Sequence, residues 1–268
     1  MRRIPFDFEG VEFIWNPRNP AFSVLMNSIS FMVIGLERYF CRAMRDAESL
    51  ITDAAVLEEA RLFNVQEAVH SRAHHKHCKA LIARYPALKE AMDVAIADFD
   101  DLYERHDLKF HLAYSGGLEA SFTPTFSMIL NHRAALFGGG DRRVASLFLW
   151  HFCEEIEHRS SAISVFNHIY GDHIYRLRQV RAMYGHATRC GEKIRDIFVR
   201  HMPDLGAIDV KNGAMKQVPR RDKIATAIGI LASQLPWFDH ERQKLPTYYH
   251  EWMRRYEAGE NMAVAFGD

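Results

Sequence analysis

The sequence carries no excess charge that would draw it to a polyanion. Lys+Arg 34 stand against Asp+Glu 34, and Arg220-Arg221 and Arg254-Arg255 are isolated pairs. Long-range attraction to phosphate backbones is missing, so nucleic acid is not an expected partner. Cysteine is scarce: Cys41, Cys78, Cys153 and Cys190 form no C-x-x-C pair. They read as reduced core thiols of a cytoplasmic protein. Apolar runs are short. Phe22 to Leu36 is interrupted by Asn27, Ser28 and Ser30 and followed by Glu37, short of the about 20 residues that span a bilayer. After Met-Arg-Arg the N-terminus carries Asp7, Glu9 and Glu12, which breaks the apolar core of a secretory signal.

Alternating β-type patterning is nearly absent, and the few breakers, 9 prolines and 15 glycines, fall at intervals that suit long helices. The expected fold class is all-α. The expected organisation is a single domain over 1–268, with core helices over about 22–175 and a C-terminal extension over about 204–268. An irregular aromatic arm with Pro5, Pro17 and Pro20 precedes a first helix from about Phe22 to Leu50. A second runs from about Ala54 to Tyr85, where Pro86 stops it, and a third from about Leu88 to Arg105. A fourth spans about Leu108 to Phe137, ending at Gly138-Gly139-Gly140. A fifth, capped by Asp141, continues to about Tyr170, and a sixth runs from Gly171-Asp172 to near Pro203. The tail, with Ile224 to Leu235 and then Trp237, Phe238, Tyr248, Tyr249 and Trp252, is expected to pack back on the bundle. A membrane-surface contact or a homodimer contact is its less favoured use.

The chemistry lies in two matching units. Glu67-Ala-Val-His70 on the second helix and Glu155-Ile-Glu-His158 on the fifth are each a Glu-x-x-His. Each is preceded one helix earlier by a carboxylate in an apolar stretch, Glu37 and Glu119. At about 100° per residue, positions three apart lie about 60° apart around the helix, one turn along, so both side chains reach one centre. Glu37, Glu67-x-x-His70, Glu119, Glu155-x-x-His158 is the ligand order of ferritin-like di-metal carboxylate bundles. Four core carboxylates without counter-charge would be costly or protonated, and two divalent cations cancel them. Imidazole and carboxylate without thiolate suit iron, with manganese and zinc as alternatives. His151, four residues before Glu155, and His74, four after His70, face the same way and are candidate extra ligands. Glu154 is a candidate acceptor for a ligand imidazole, as His74 is a candidate imidazole partner or substrate contact. Glu157 reads as solvated or Arg-paired, and His75 and His77 as surface histidines.

The run Trp150-His151-Phe152-Cys153-Glu154-Glu155-Ile156-Glu157-His158 closely resembles the signature of the bacterial family of predicted metal-dependent hydrolases in the ferritin-like superfamily. Gly35-Leu36-Glu37-Arg38-Tyr39-Phe40, Gln66 to His70 with His74, and Leu118 to Thr123 resemble that family's other blocks. The His-x-x-x-Glu-x-x-His spacing at His151, Glu155 and His158 is also similar to that of di-iron arylamine N-oxygenases, and this resemblance implies that His151 is a seventh ligand.

The expected activity is that of a di-iron oxidase or monooxygenase. Glu37, Glu67, Glu119 and Glu155 would act through the metals, with a small organic substrate, dioxygen and an electron donor as partners. The alternatives are a metal-dependent hydrolase using a metal-bound hydroxide and non-enzymatic metal storage.

Overall fold

The computed structural model describes residues 2–266, and among them helices and turns make up the fold, with no strand. The first helix, α1 (Pro20–Ala47), starts two residues before the expected point because Pro20 opens it and Asn19 caps it by accepting from the Phe22 N–H. Proline suits that first position, where its missing N–H would have no helical partner. Helix α2 (Ala54–Arg84) is capped by Asp53, whose carboxylate accepts from the Ala55 and Val56 amides. After a short 3-10 turn at Pro86–Leu88 comes α3 (Lys89–Arg105).

The expected fourth helix divides in two. Helix α4 (Leu108–Asn131) ends where His132 leaves helical geometry at φ -106 and ψ 16, and α5 (Arg133–Phe137) follows. The His132 ring is held by Asp222 at 2.9 Å, and Arg133 donates to the Leu130 carbonyl at the break. The fifth expected helix also divides, into α6 (Arg142–Glu157) and α7 (Ser161–Ile169). Here the buried Arg159 takes over: its guanidinium donates to the carbonyls of Ile156, His240 and Glu241. The break therefore satisfies a helix-end carbonyl and fixes the tail in one stroke.

Asp172 caps α8 (His173–His201). The remainder forms α9 (Val210–Gly213), α10 (Arg220–Ser233) and α11 (Thr247–Glu257). Helix α1 lies along α2 and α3, and α4 packs on α1, α6, α7, α8 and α10. The most apolar window of α1 is 78% buried inside the fold. Ser30 against His74 and His77, and Cys41 against Asn64, show that α1 and α2 run antiparallel.

Both ends of the chain close over this bundle. Phe6, Phe8, Val11, Phe13 and Trp15 of the N-terminal arm are buried, as are Tyr248 and Trp252 of α11. The tail is split in character, since Ile224, Ile228 and Leu231 of α10 and Trp237 beyond it remain exposed.

Close approach of α1 to α3 depends on Gly35, where a Cβ would sit 2.5 Å from the Ala95 carbonyl oxygen. Gly35→Ala is expected to cost about 1–3 kcal/mol through overpacking. Urea unfolding measures this, and an unchanged midpoint would refute the close contact.

Candidate metal centre

Within α2, Glu67, His70 and His74 fall on one buried face, and α6 presents His151, Glu154 and Glu155 in the same manner. His158 follows as the C-cap residue of α6. Antiparallel packing lays Glu37 of α1 against them. Two groups result: Glu37, His70, His151 and Glu155, and Glu67, His70, Glu155 and His158, with ligand atoms within 4.8 Å of one another in each. His70 and Glu155 belong to both, so the groups adjoin.

Each imidazole facing the centre is held from behind by its other nitrogen. His70 Nε2 bonds Glu154 at 3.0 Å, leaving Nδ1 at 3.2 Å from Glu155. His158 Nδ1 bonds Glu119 at 3.2 Å, leaving Nε2 at 3.2 Å from Glu67. His151 Nδ1 bonds His74 Nε2 at 2.8 Å, leaving Nε2 at 3.3 Å from Glu37 and 2.7 Å from Glu155. Such partners fix ring orientation and tautomer, as they do around metal-ligating histidines. Aromatic rings wedge the same imidazoles: Trp150 stands edge-on to His70, and Phe63 to His158.

Glu119 thus lies beside the two groups, one oxygen on His158 and the other buried without a hydrogen bond. His74 has both nitrogens engaged, the second with Ser30 at 2.8 Å. Glu154 is supported in turn by Arg2 at 3.2 Å, and Glu157 pairs with Arg2 and Tyr249.

His77 is a correction to the sequence reading. It is buried, not on the surface, with Nδ1 at 2.9 Å from Ser30. Ten residues past Glu67 is about 15 Å along α2 but only about 80° around it, still on the face that α1 covers. With the centre-facing nitrogen of His151 unprotonated, a directed chain follows. His151 Nδ1–H donates to His74, His74 Nδ1–H to Ser30, and the Ser30 hydroxyl to His77.

Ser30, Arg2 and His77 were missed in the sequence. Ser30 carried a signal, lying seven residues and two turns before Glu37 on one face of α1. Arg2 lies 152 residues from Glu154 in an irregular arm and carried none.

The donor set suits a cation. Both oxygens of Glu37 and of Glu67, Glu155 Oε2, His70 Nδ1 and His158 Nε2 are buried without hydrogen-bond partners. Such converging lone pairs are costly unless a cation or proton meets them. Without a cation, protons do so: burial, reinforced by neighbouring carboxylates, holds Glu37 and Glu119 well above the ordinary glutamate range. Burial and Glu155 do the same to Glu67 against the pull of His158 and His70. Burial opposes charge on His70, yet the hydrogen bond to Glu154 and the neighbouring carboxylates of Glu155 and Glu67 push it up to about 10. Burial would also raise Glu155, but His158, His151 and His70 bring it well below its usual value. Burial and the charge on His70 bring His151 down to about 4.

Cation uptake must displace these protons, so affinity rises with pH. The folded metal-free state keeps protons on Glu37, Glu67 and Glu119 that an unfolded chain has lost above 4.5, so their contribution to stability falls as pH rises past that value. The His70 contribution is complete below 6.5 and is lost as pH climbs through about 10. Titration of chelator-treated protein with manganous ion is expected to show affinity rising about tenfold or more per pH unit near neutrality. Glu67→Ala and Glu155→Ala should abolish uptake. A pH-independent affinity, or unchanged metal content in both variants, would contradict the site.

A family model described as "predicted metal-dependent hydrolase" matches residues 1–241. No curated protein and no solved structure matches the chain. The family match overturns the expected di-iron oxidase or monooxygenase activity, because it points to hydrolysis, the stated alternative. The ligand set itself is common to both chemistries, which is why motif spacing led to the wrong reaction.

Proposed function

The chain belongs to the family of predicted metal-dependent hydrolases, and we propose that it hydrolyses a small organic substrate at a pair of divalent cations. The observation that carries this reading is the convergence of buried, unpartnered carboxylate and imidazole atoms on two adjoining groups. Glu37, Glu67, His70, His151, Glu155 and His158 would hold the cations, with Glu119 behind His158 and its second oxygen buried and unpartnered. His70 and Glu155, common to both groups, would tie the two sites together. Iron, manganese and zinc all fit a set of imidazoles and carboxylates. Cys41 remains a neutral thiol, its pKa pushed up to about 12 by burial and by Glu67. A ferritin-like arrangement is supported by the order of Glu on α1, Glu-x-x-His on α2, Glu on α4 and Glu-x-x-His on α6.

Bound there, the cations supply an activated water and polarise the bond to be cut. The chain's own residues do the rest. Glu154, Glu119 and His74 lock three imidazoles so that the centre-facing nitrogens keep their lone pairs. Burial alone would raise the Glu154 pKa, but His70, and then Arg2, bring it below its ordinary value. His74 stays neutral, because burial and His151 push its pKa well down, and it can therefore receive the His151 N–H. Glu37 and Glu67 line a surface pocket of about 300 Å³, the route by which a substrate reaches the centre.

Nitrophenyl esters and phosphate esters offered to protein loaded with manganous, ferrous or zinc ion test the reading. Turnover is expected with at least one metal, lost on chelation and restored by re-addition. Turnover that survives chelation, or none from protein holding two metals per chain, would contradict it.

A further inference from the structure

The pocket over Glu37 and Glu67 has a basic mouth. Its floor is the two carboxylates, 2% and 1% exposed, and its walls include Cys41 and Ser71. Arg38, Arg45 and Arg72 line it as well, all exposed to solvent. On a chain whose formal net charge is +0, three arginines around one opening are a local departure that needs a counterpart.

The floor does not supply that counterpart. Among the described residues Glu37 and Glu67 reach ion-pair distance of His70, His151 and His158 and of no arginine. Arg38 is engaged, at 3.1 Å from Asp100. Among the described residues Arg45 and Arg72 have no salt bridge or hydrogen bond from their side chains.

Their placement brackets the opening. Arg45 lies eight residues beyond Glu37, about 12 Å along α1 toward the α1–α2 turn. Arg72 lies five residues beyond Glu67, about 7.5 Å along α2, and because the helices are antiparallel it stands on the opposite side. Helical side chains lean toward the N-terminus of their helix, so both arginine stems lean back along their helices toward the level of the carboxylates, Arg45 about 80° around α1 from Glu37 and Arg72 about 140° around α2 from Glu67, and both line the same pocket. Two cations bound below would cancel four glutamates and leave the arginine charge at the mouth uncompensated.

We propose that this pocket selects substrates bearing a carboxylate or phosphate group, which Arg45 and Arg72 hold while the bond to be cut lies over Glu37 and Glu67. This names the substrate class for the hydrolytic reading above and rests on it. Guanidinium matches both anions with paired N–H donors, and low-dielectric walls focus its field on an incoming ligand.

Calorimetry on manganese-loaded protein, with glutarate in one arm and inorganic phosphate in the other, tests binding without turnover. At least one anion is expected to bind, and the arm that responds identifies the group. Arg45→Gln and Arg72→Gln should each weaken it about tenfold, the equivalent of about 1.4 kcal/mol, while Arg221→Gln on α10 leaves it unchanged. Melting temperature and metal content report folding of each variant. No binding in either arm, or binding that ignores both arginines because the anion sits on the metal alone, would overturn the proposal.

Turnover separates it from the hydrolytic reading. Mono-nitrophenyl glutarate should be cleaved with higher kcat/KM than the uncharged nitrophenyl valerate, and the advantage should shrink with added salt. Arginine-dependent anion binding without hydrolysis of any ester supports the pocket and removes the hydrolase reading. Equal cleavage of both esters with arginine-independent binding removes the pocket and keeps the hydrolase.

Discussion

Ionised carboxylates do not remain in a helical core without an opposing charge. Glu37, Glu67, Glu119, Glu154 and Glu155 are all buried, within reach of His70, His151 and His158. The cost of removing one such ion from water is several kcal/mol, and much of the surrounding architecture serves to offset it. Each centre-facing imidazole is held by a second group, and one of those groups, Glu154, is itself held by Arg2 from the arm. Arg159 links the helix break beside His158 to the tail. The arm and the tail thus help define the centre's geometry, although none of their described residues belongs to either group of ligand atoms.

That arrangement also explains the unpaired atoms. A core built only for stability would have replaced these glutamates with apolar residues, which is often neutral or stabilising. Here the buried lone pairs converge and the outer nitrogens are all satisfied, a division suited to cation binding. The arginines at the opening extend the same logic outward: the centre collects negative charge, and the mouth above it is positive.

Much of this was legible in the sequence because it depends on local spacing. Glu67 with His70, and Glu155 with His158, are set by helix geometry alone, and Glu37 and Glu119 stood out as charges in apolar stretches. Helix starts were legible where an aspartate caps them, as at Asp53, Asp141 and Asp172, although α1 begins two residues early, at Pro20 behind the Asn19 cap. The break at His158 was not, since it depends on Arg159 meeting carbonyls more than eighty residues away at His240 and Glu241. Nor was the burial of His77, which requires α1 to cover α2 beyond the site, or the position of Glu119 beside His158. The reaction was illegible for a different reason: oxygen activation and hydrolysis draw on the same ligands, and only the family match separates them.

The most direct test of the account is a crystal structure of metal-loaded protein with anomalous scattering recorded at the metal edge. Two peaks are predicted, one among Glu37, His70, His151 and Glu155 and one among Glu67, His70, Glu155 and His158. A centre without peaks, its carboxylates protonated and bonded to one another or to water, would contradict it.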